Sequence, residues 1–108
     1  MLDIYPITLE MVRDAAQVAA GLERHDSDLA RQLRRAAASV PLNVAEGMYS
    51  RGKLRAARYH TALGSARETL ACLEVAEAMG YLTKVNDDVT ARMNRVIATL
   101  VRLVRPRA

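Results

Sequence analysis

A chain of 108 residues, 51% of them apolar, is long enough for one domain with a single core and too apolar to stay disordered. It has no Phe, no Trp and four Tyr, so that core must be aliphatic, built from Leu, Val, Ala and Met. A net charge of +4 and a pI near 9.7, carried mostly by arginine, permit an anionic partner, while one cysteine, Cys72, excludes an intrachain disulfide.

No apolar run approaches 18 residues, and no charged start leads into an apolar h-region. The expectation is a soluble cytoplasmic protein with no membrane role. Strand-like alternation is absent, and four segments carry helical spacing instead. The first covers about 8–24, with Met11, Ala15, Val18 and Leu22 on one face. The second covers 27–49; Asp26 or Ser27 caps it, and Leu29, Leu33, Ala36, Val40 and Val44 form its stripe. The third covers 52–79 with Tyr59, Leu63, Ala66, Leu70 and Leu73 in line, and Gly80 stands where a left-handed C-terminal cap belongs. The fourth covers about 84–104, starting after Thr83 or Asn86, with Val85, Val89, Met93, Val96, Leu100 and Leu103 in line and Pro106 ending it. Four helices joined by short connections in one domain, 1–108, predict an all-α, antiparallel up-down-up-down four-helix bundle.

Pro41 falls inside the second helix, where proline removes a hydrogen bond and crowds the preceding turn. Either two helices meet there or one helix kinks. The apolar spacing stays in phase from Val40 to Val44, which favours a kink. The surrounding stretch RRAAASVPLNVAEG, Arg34 to Gly47, has apolar groups over well over half its circumference when plotted at about 100° per residue. An ordinary bundle helix buries one stripe. The second apolar side, Ala38, Leu42 and Ala45, is therefore expected to meet a second copy of the chain.

The same stretch, together with ALGSARETLACLEVAEAMGYL from Ala62 to Leu82, resembles the four-helix-bundle family encoded within intervening sequences of bacterial 23S ribosomal RNA genes. The resemblance spans about Ile7 to Leu103. It rests on the arginine-alanine run with Ser39 and Pro41, on Asn43-x-x-Glu46-Gly47, on Gly64-Ser65-Ala66 with Glu68, and on Gly80-Tyr81. It implies a small antiparallel bundle assembling into a ring, a homo-oligomer of five subunits. It also implies kinship with accessory variability proteins of retroelements, which are associated with nucleic acid. No biochemical activity comes with the family.

Other constellations carry less. GMYSRGKL, Gly47 to Leu54, has the spacing of the first part of a phosphate loop, but Leu54 stands where Ser or Thr must hold magnesium, and the motif follows a helix rather than a strand. Neither His25 nor His60 lies three residues after a glutamate, so a di-iron site of the bundle type is not expected. Cys72, beside Leu73 on an apolar helix, reads as a buried inert thiol. With no nucleophile, metal or cofactor site and no small-molecule substrate expected, the chain reads as a non-enzyme. Asn43 and Glu46 share a helix face and are expected to join Glu68 in a structural polar network, with Arg58 as a candidate partner. Gly64 is expected to let two helices approach closely.

The basic residues are the functional lead. Arg92, Arg95, Arg102 and Arg105 share the polar face of the fourth helix, and no carboxylate follows Asp88. Arg51, Lys53, Arg55 and Arg58 crowd the start of the third helix, where the helix dipole disfavours cations; compensation by carboxylates or by an external anion is expected. Arg34 and Arg35 add to the set. With so few aromatics, contact with RNA or DNA is expected to run through phosphates without sequence preference. The alternative is a protein-binding scaffold ring with no nucleic-acid role.

Overall fold

The computed structural model describes residues 4–106. Among them are four helices and no strand: α1 Ile4–Leu22, α2 Ser27–Met48, α3 Gly52–Ala78 and α4 Asp87–Val104. Each helix packs against its sequence neighbours, and α1 against α4 closes the bundle, which is 45 × 22 × 21 Å along its principal axes. This is the antiparallel four-helix bundle that the apolar spacing predicts.

The helix ends follow from local chemistry. α1 is helical from the first described residue, Ile4, a turn earlier than the spacing indicates, and it includes Pro6, which the first turn of a helix tolerates because a missing N–H there has no partner to lose. Asp26 caps α2, its Oδ1 accepting from the Leu29 amide at 2.9 Å. α2 then runs unbroken through the buried Pro41, so two short helices do not form there. At the end of α3, Gly80 takes φ +78°; the Tyr81 amide donates to Ala76 O and the Gly80 amide to Glu77 O, both at 3.0 Å. That pair of bonds is the left-handed cap the glycine implies. Of the two starts open to α4, the one after Asn86 is taken: the helix begins at Asp87, and Asn86 caps it, Oδ1 accepting from the Asp88 amide at 2.7 Å.

The core is aliphatic. Met11, Leu22, Leu33, Val40, Val44, Leu73, Met93, Val96 and Leu100 are fully buried, and alanines such as Ala15, Ala30, Ala62 and Ala66 leave room for close helix packing. Cys72 lies in this core, and burial, reinforced by the charge of Glu68, raises the pKa of its thiol. A raised pKa keeps it a protonated, poor nucleophile.

Two glycines exchange roles relative to expectation. Gly64 is exposed on the outer side of α3, and a Cβ there would meet nothing within 4 Å, so it brings no helices together inside the chain. Gly47 does that work instead. A Cβ at Gly47 would overlap the Tyr59 ring at Cε1 and Cδ1, so the buried ring packs against the end of α2 only because no side chain is there.

Candidate nucleic-acid interface

The polar contact between α2 and α3 is built from small hydroxyls. Ser39 Oγ and Ser65 Oγ are 2.8 Å apart, Asn43 Nδ2 donates to Ser39 O at 2.9 Å and to Ser39 Oγ at 3.0 Å, and Thr69 Oγ1 donates to Ser65 O at 2.8 Å. Asn43 thus belongs to the network, whereas Glu46 and Glu68 are exposed and have no hydrogen-bond partner among the described residues for their carboxylates. Short side chains suffice because the helices are close here, which leaves the longer carboxylates outside. A groove of ≈ 440 Å³ lies over these serines, with Arg31, Gln32 and Arg35 on the α2 side and Glu68 on the α3 side.

Three of the ten basic residues singled out above bond to a carboxylate or to backbone carbonyls within the chain. Arg92 grips Asp14 with two parallel bonds, Nε to Oδ2 at 2.7 Å and Nη2 to Oδ1 at 2.9 Å, tying α4 to α1. Arg34 pairs with Glu23 across the α1–α2 connection. Arg55 turns back over the end of α2: its Nε donates to Gly47 O at 3.1 Å and Ser50 O at 2.9 Å, and its Nη2 reaches Met48 O at 3.4 Å. Arg55 therefore sits at the carbonyl end of one helix as much as at the amide end of the next, and cations are favoured at the former. Within the chain its compensation comes from the backbone around the end of α2 rather than from a carboxylate.

The others do not form one continuous patch. Arg51, Lys53 and Arg58 stand at the α2–α3 connection, and every residue from Arg51 to Arg58 is exposed. The up-down topology brings the end of α4, with Arg102 and Arg105, to the same end of the bundle. Arg102 also reaches Thr99 Oγ1 at 3.3 Å. Arg35 and Arg95 lie further along the bundle, away from this group.

Charge is consequently segregated along the long axis. From Gly47 to Arg67 the chain has no carboxylate, and none follows Asp88. The opposite end, at the α1–α2 and α3–α4 connections, carries Glu23, Asp26, Asp28, Glu74, Glu77, Asp87 and Asp88 against Arg24, Arg31, Arg34 and Lys84. At physiological ionic strength the screening length is about 8 Å, short against a 45 Å molecule. An anion at the basic end therefore feels that end alone.

Of the four tyrosines, Tyr59 is buried, Tyr5 is partly buried against the core and Tyr81 stacks on His25 with ring centroids 5.4 Å apart. Tyr49, at the α2–α3 connection, is 89% exposed. Among the described residues, no group of three or more His, Cys, Asp or Glu could hold a metal ion, and no helix is long and apolar enough to cross a membrane.

Residues 1–102 match the family described as 23S rRNA-intervening sequence protein. The chain belongs to that family. A crystal structure of a protein of unknown function from the S23 ribosomal protein family of Bacteroides thetaiotaomicron shares its fold, with a TM-score of 0.86 and 17% identity over 95% of this chain and 99% of the other. At that identity the likeness concerns the fold. Comparison with curated proteins gives no match.

The site's arginine pairings were not legible from helix spacing. The end of α2 offered a signal that sequence reasoning passed over: an arginine a few residues beyond a helix end is well placed to bond its last carbonyls.

Proposed function

We propose that this member of the 23S rRNA-intervening sequence protein family is a non-enzymatic, self-associating cytoplasmic module that holds RNA or DNA by its phosphates at the basic end of the bundle. The observation that carries this reading is the segregation of charge. Arg51, Lys53, Arg58, Arg102 and Arg105 share one end, where Glu46 is a nearby carboxylate among the described residues, and a predominantly basic cluster of this kind attracts a polyanion more strongly than the net charge alone would. Binding should be indifferent to sequence and steeply dependent on salt.

The test is fluorescence anisotropy of labelled structured RNA at several salt concentrations. Affinity should fall with a slope of about −0.9 per duplex phosphate neutralised, or about −0.7 for single strands. No binding at low salt would leave the basic end as a solvated surface.

A second reading, a protein-binding scaffold ring, draws on the outer face of the α2–α3 pair. Leu42 is 66% exposed there, between the half-buried Ala38 and Ala45. On α3, Ala57, Gly64, Ala71 and Ala78 stand seven apart and exposed. Gly64 costs this helix about 1 kcal/mol relative to alanine, with no contact inside the chain to offset it. An interface pairing a different patch on each copy closes into a ring when its rotation allows, and family resemblance supplies the number five. Leu42→Glu should lower the mass measured by sedimentation; an unchanged mass would remove this face from the assembly.

A further inference from the structure

Tyr49 stands at the α2–α3 connection, at the basic end of the bundle. It follows the last residue of α2, two positions before Arg51 and four before Lys53, and 89% of its surface is open to solvent. Its three fellow tyrosines are occupied by the core or by His25.

The turn that carries it is held rigidly. The Ser50 amide donates to Gly47 O at 3.1 Å and the Ser50 hydroxyl to Glu46 O at 2.7 Å. Arg55 bonds the carbonyls of Gly47, Met48 and Ser50, and the Tyr59 ring closes beneath Gly47. The aromatic ring thus stands on a backbone fixed on both sides of it, which reduces the ordering cost of a partner's arrival.

We propose that Tyr49 makes this end selective for unpaired nucleotides, one base stacking on its ring while Arg51, Lys53 and Arg58 hold the flanking phosphates. The proposal rests on the polyanion reading above and narrows it from nucleic acid in general to single-stranded segments. The physical ground is that a duplex buries the faces of its bases, whereas a single strand presents each face to an aromatic platform beside a cationic track. Two other partners fit less well. An anionic membrane needs a broad apolar face beneath the cations, and this end exposes Tyr49 and Leu54 with little else apolar. The same end of a second copy would bring like charges together.

The experiment compares labelled oligouridine with a fully paired RNA duplex of equal length, for the wild type and for Tyr49→Ala and Tyr49→Phe. The wild type should bind the single strand more tightly. Tyr49→Ala should lose about ten-fold on oligouridine, the size of one lost base–aromatic stack, with its salt slope unchanged because no charge is removed. Its duplex affinity should not move, and Tyr49→Phe should retain the wild-type preference. Helix content and sedimentation mass of both variants should match the wild type.

Equal affinity for the two RNAs, or a Tyr49→Ala variant that loses nothing on oligouridine, would overturn the stacking role while leaving the polyanion reading in place. Failure of the wild type to bind either RNA at low salt would overturn both. Binding to vesicles of anionic lipid without binding to RNA would also overturn both. A Tyr49→Ala variant whose mass falls would assign the ring to an interface between copies and overturn the proposal.

Discussion

At one end of the bundle, the α1–α2 and α3–α4 connections are closed by their own side chains. Asp26, Gly80 and Asn86 cap three helix termini, His25 stacks on Tyr81 across the two connections, and Asp28, Glu23 and Asp87 pair with Arg31, Arg34 and Lys84. At the other end, the α2–α3 connection is held by one long side chain, Arg55, bonded to backbone carbonyls, and the residues around it point outward. The first arrangement engages seven of its eleven charged side chains, leaving Arg24, Glu74, Glu77 and Asp88 without a side-chain partner among the described residues. The second leaves Arg51, Lys53, Arg58 and Tyr49 free of the fold. A helical hairpin can therefore be rigid and still present nearly all its charge to a partner, provided that the backbone supplies the acceptors.

The strongest way to break the contrast is Gly47→Ala. Alanine ordinarily favours a helix over glycine, but here its Cβ meets the Tyr59 ring, and overpacking of this kind costs about 1–3 kcal/mol. Thermal unfolding followed by circular dichroism should show a midpoint lowered by about 4–8 °C for each kcal/mol. A raised midpoint would mean that Tyr59 moves aside freely and does not brace the turn.

Next in size is a pair of substitutions at the two ends of α2. Asp26→Ala removes a cap and should cost about 1 kcal/mol. Arg55→Ala removes the bonds to Gly47, Met48 and Ser50 and should cost about as much. The two should separate in function: RNA affinity should fall for Arg55→Ala, whose turn loosens, and hold for Asp26→Ala. Equal loss from both would tie binding to stability rather than to the basic end. The smallest structural effect belongs to Lys53→Ala. Its unfolding free energy should stay within about 0.5 kcal/mol of the wild type, while the salt slope on single-stranded RNA shrinks by about 0.7.

What could be read from the residues alone was local. Asp26 and Gly80 mark helix ends because their chemistry acts within a few positions, and the 3.6-residue spacing of Leu29, Leu33, Ala36 and Val40 marks a buried face without any knowledge of the neighbour. The site was less legible because it depends on how far one helix slides along another. That offset places Asp14 opposite Arg92 and sets Ser65, rather than Glu68, against Ser39 and Asn43. It also decides that Gly47, and not Gly64, meets a ring. Either glycine satisfies the same rule of close approach, and only the register chooses between them.

The bonds that Arg55 makes reach main-chain oxygens of Gly47, Met48 and Ser50 and ask nothing of the side chain at position 49. Position 49 is therefore a socket. Whatever residue occupies it is displayed on the same frame without refolding the turn, so the chemistry of this end can change by single substitutions while the bundle beneath it stays as it is.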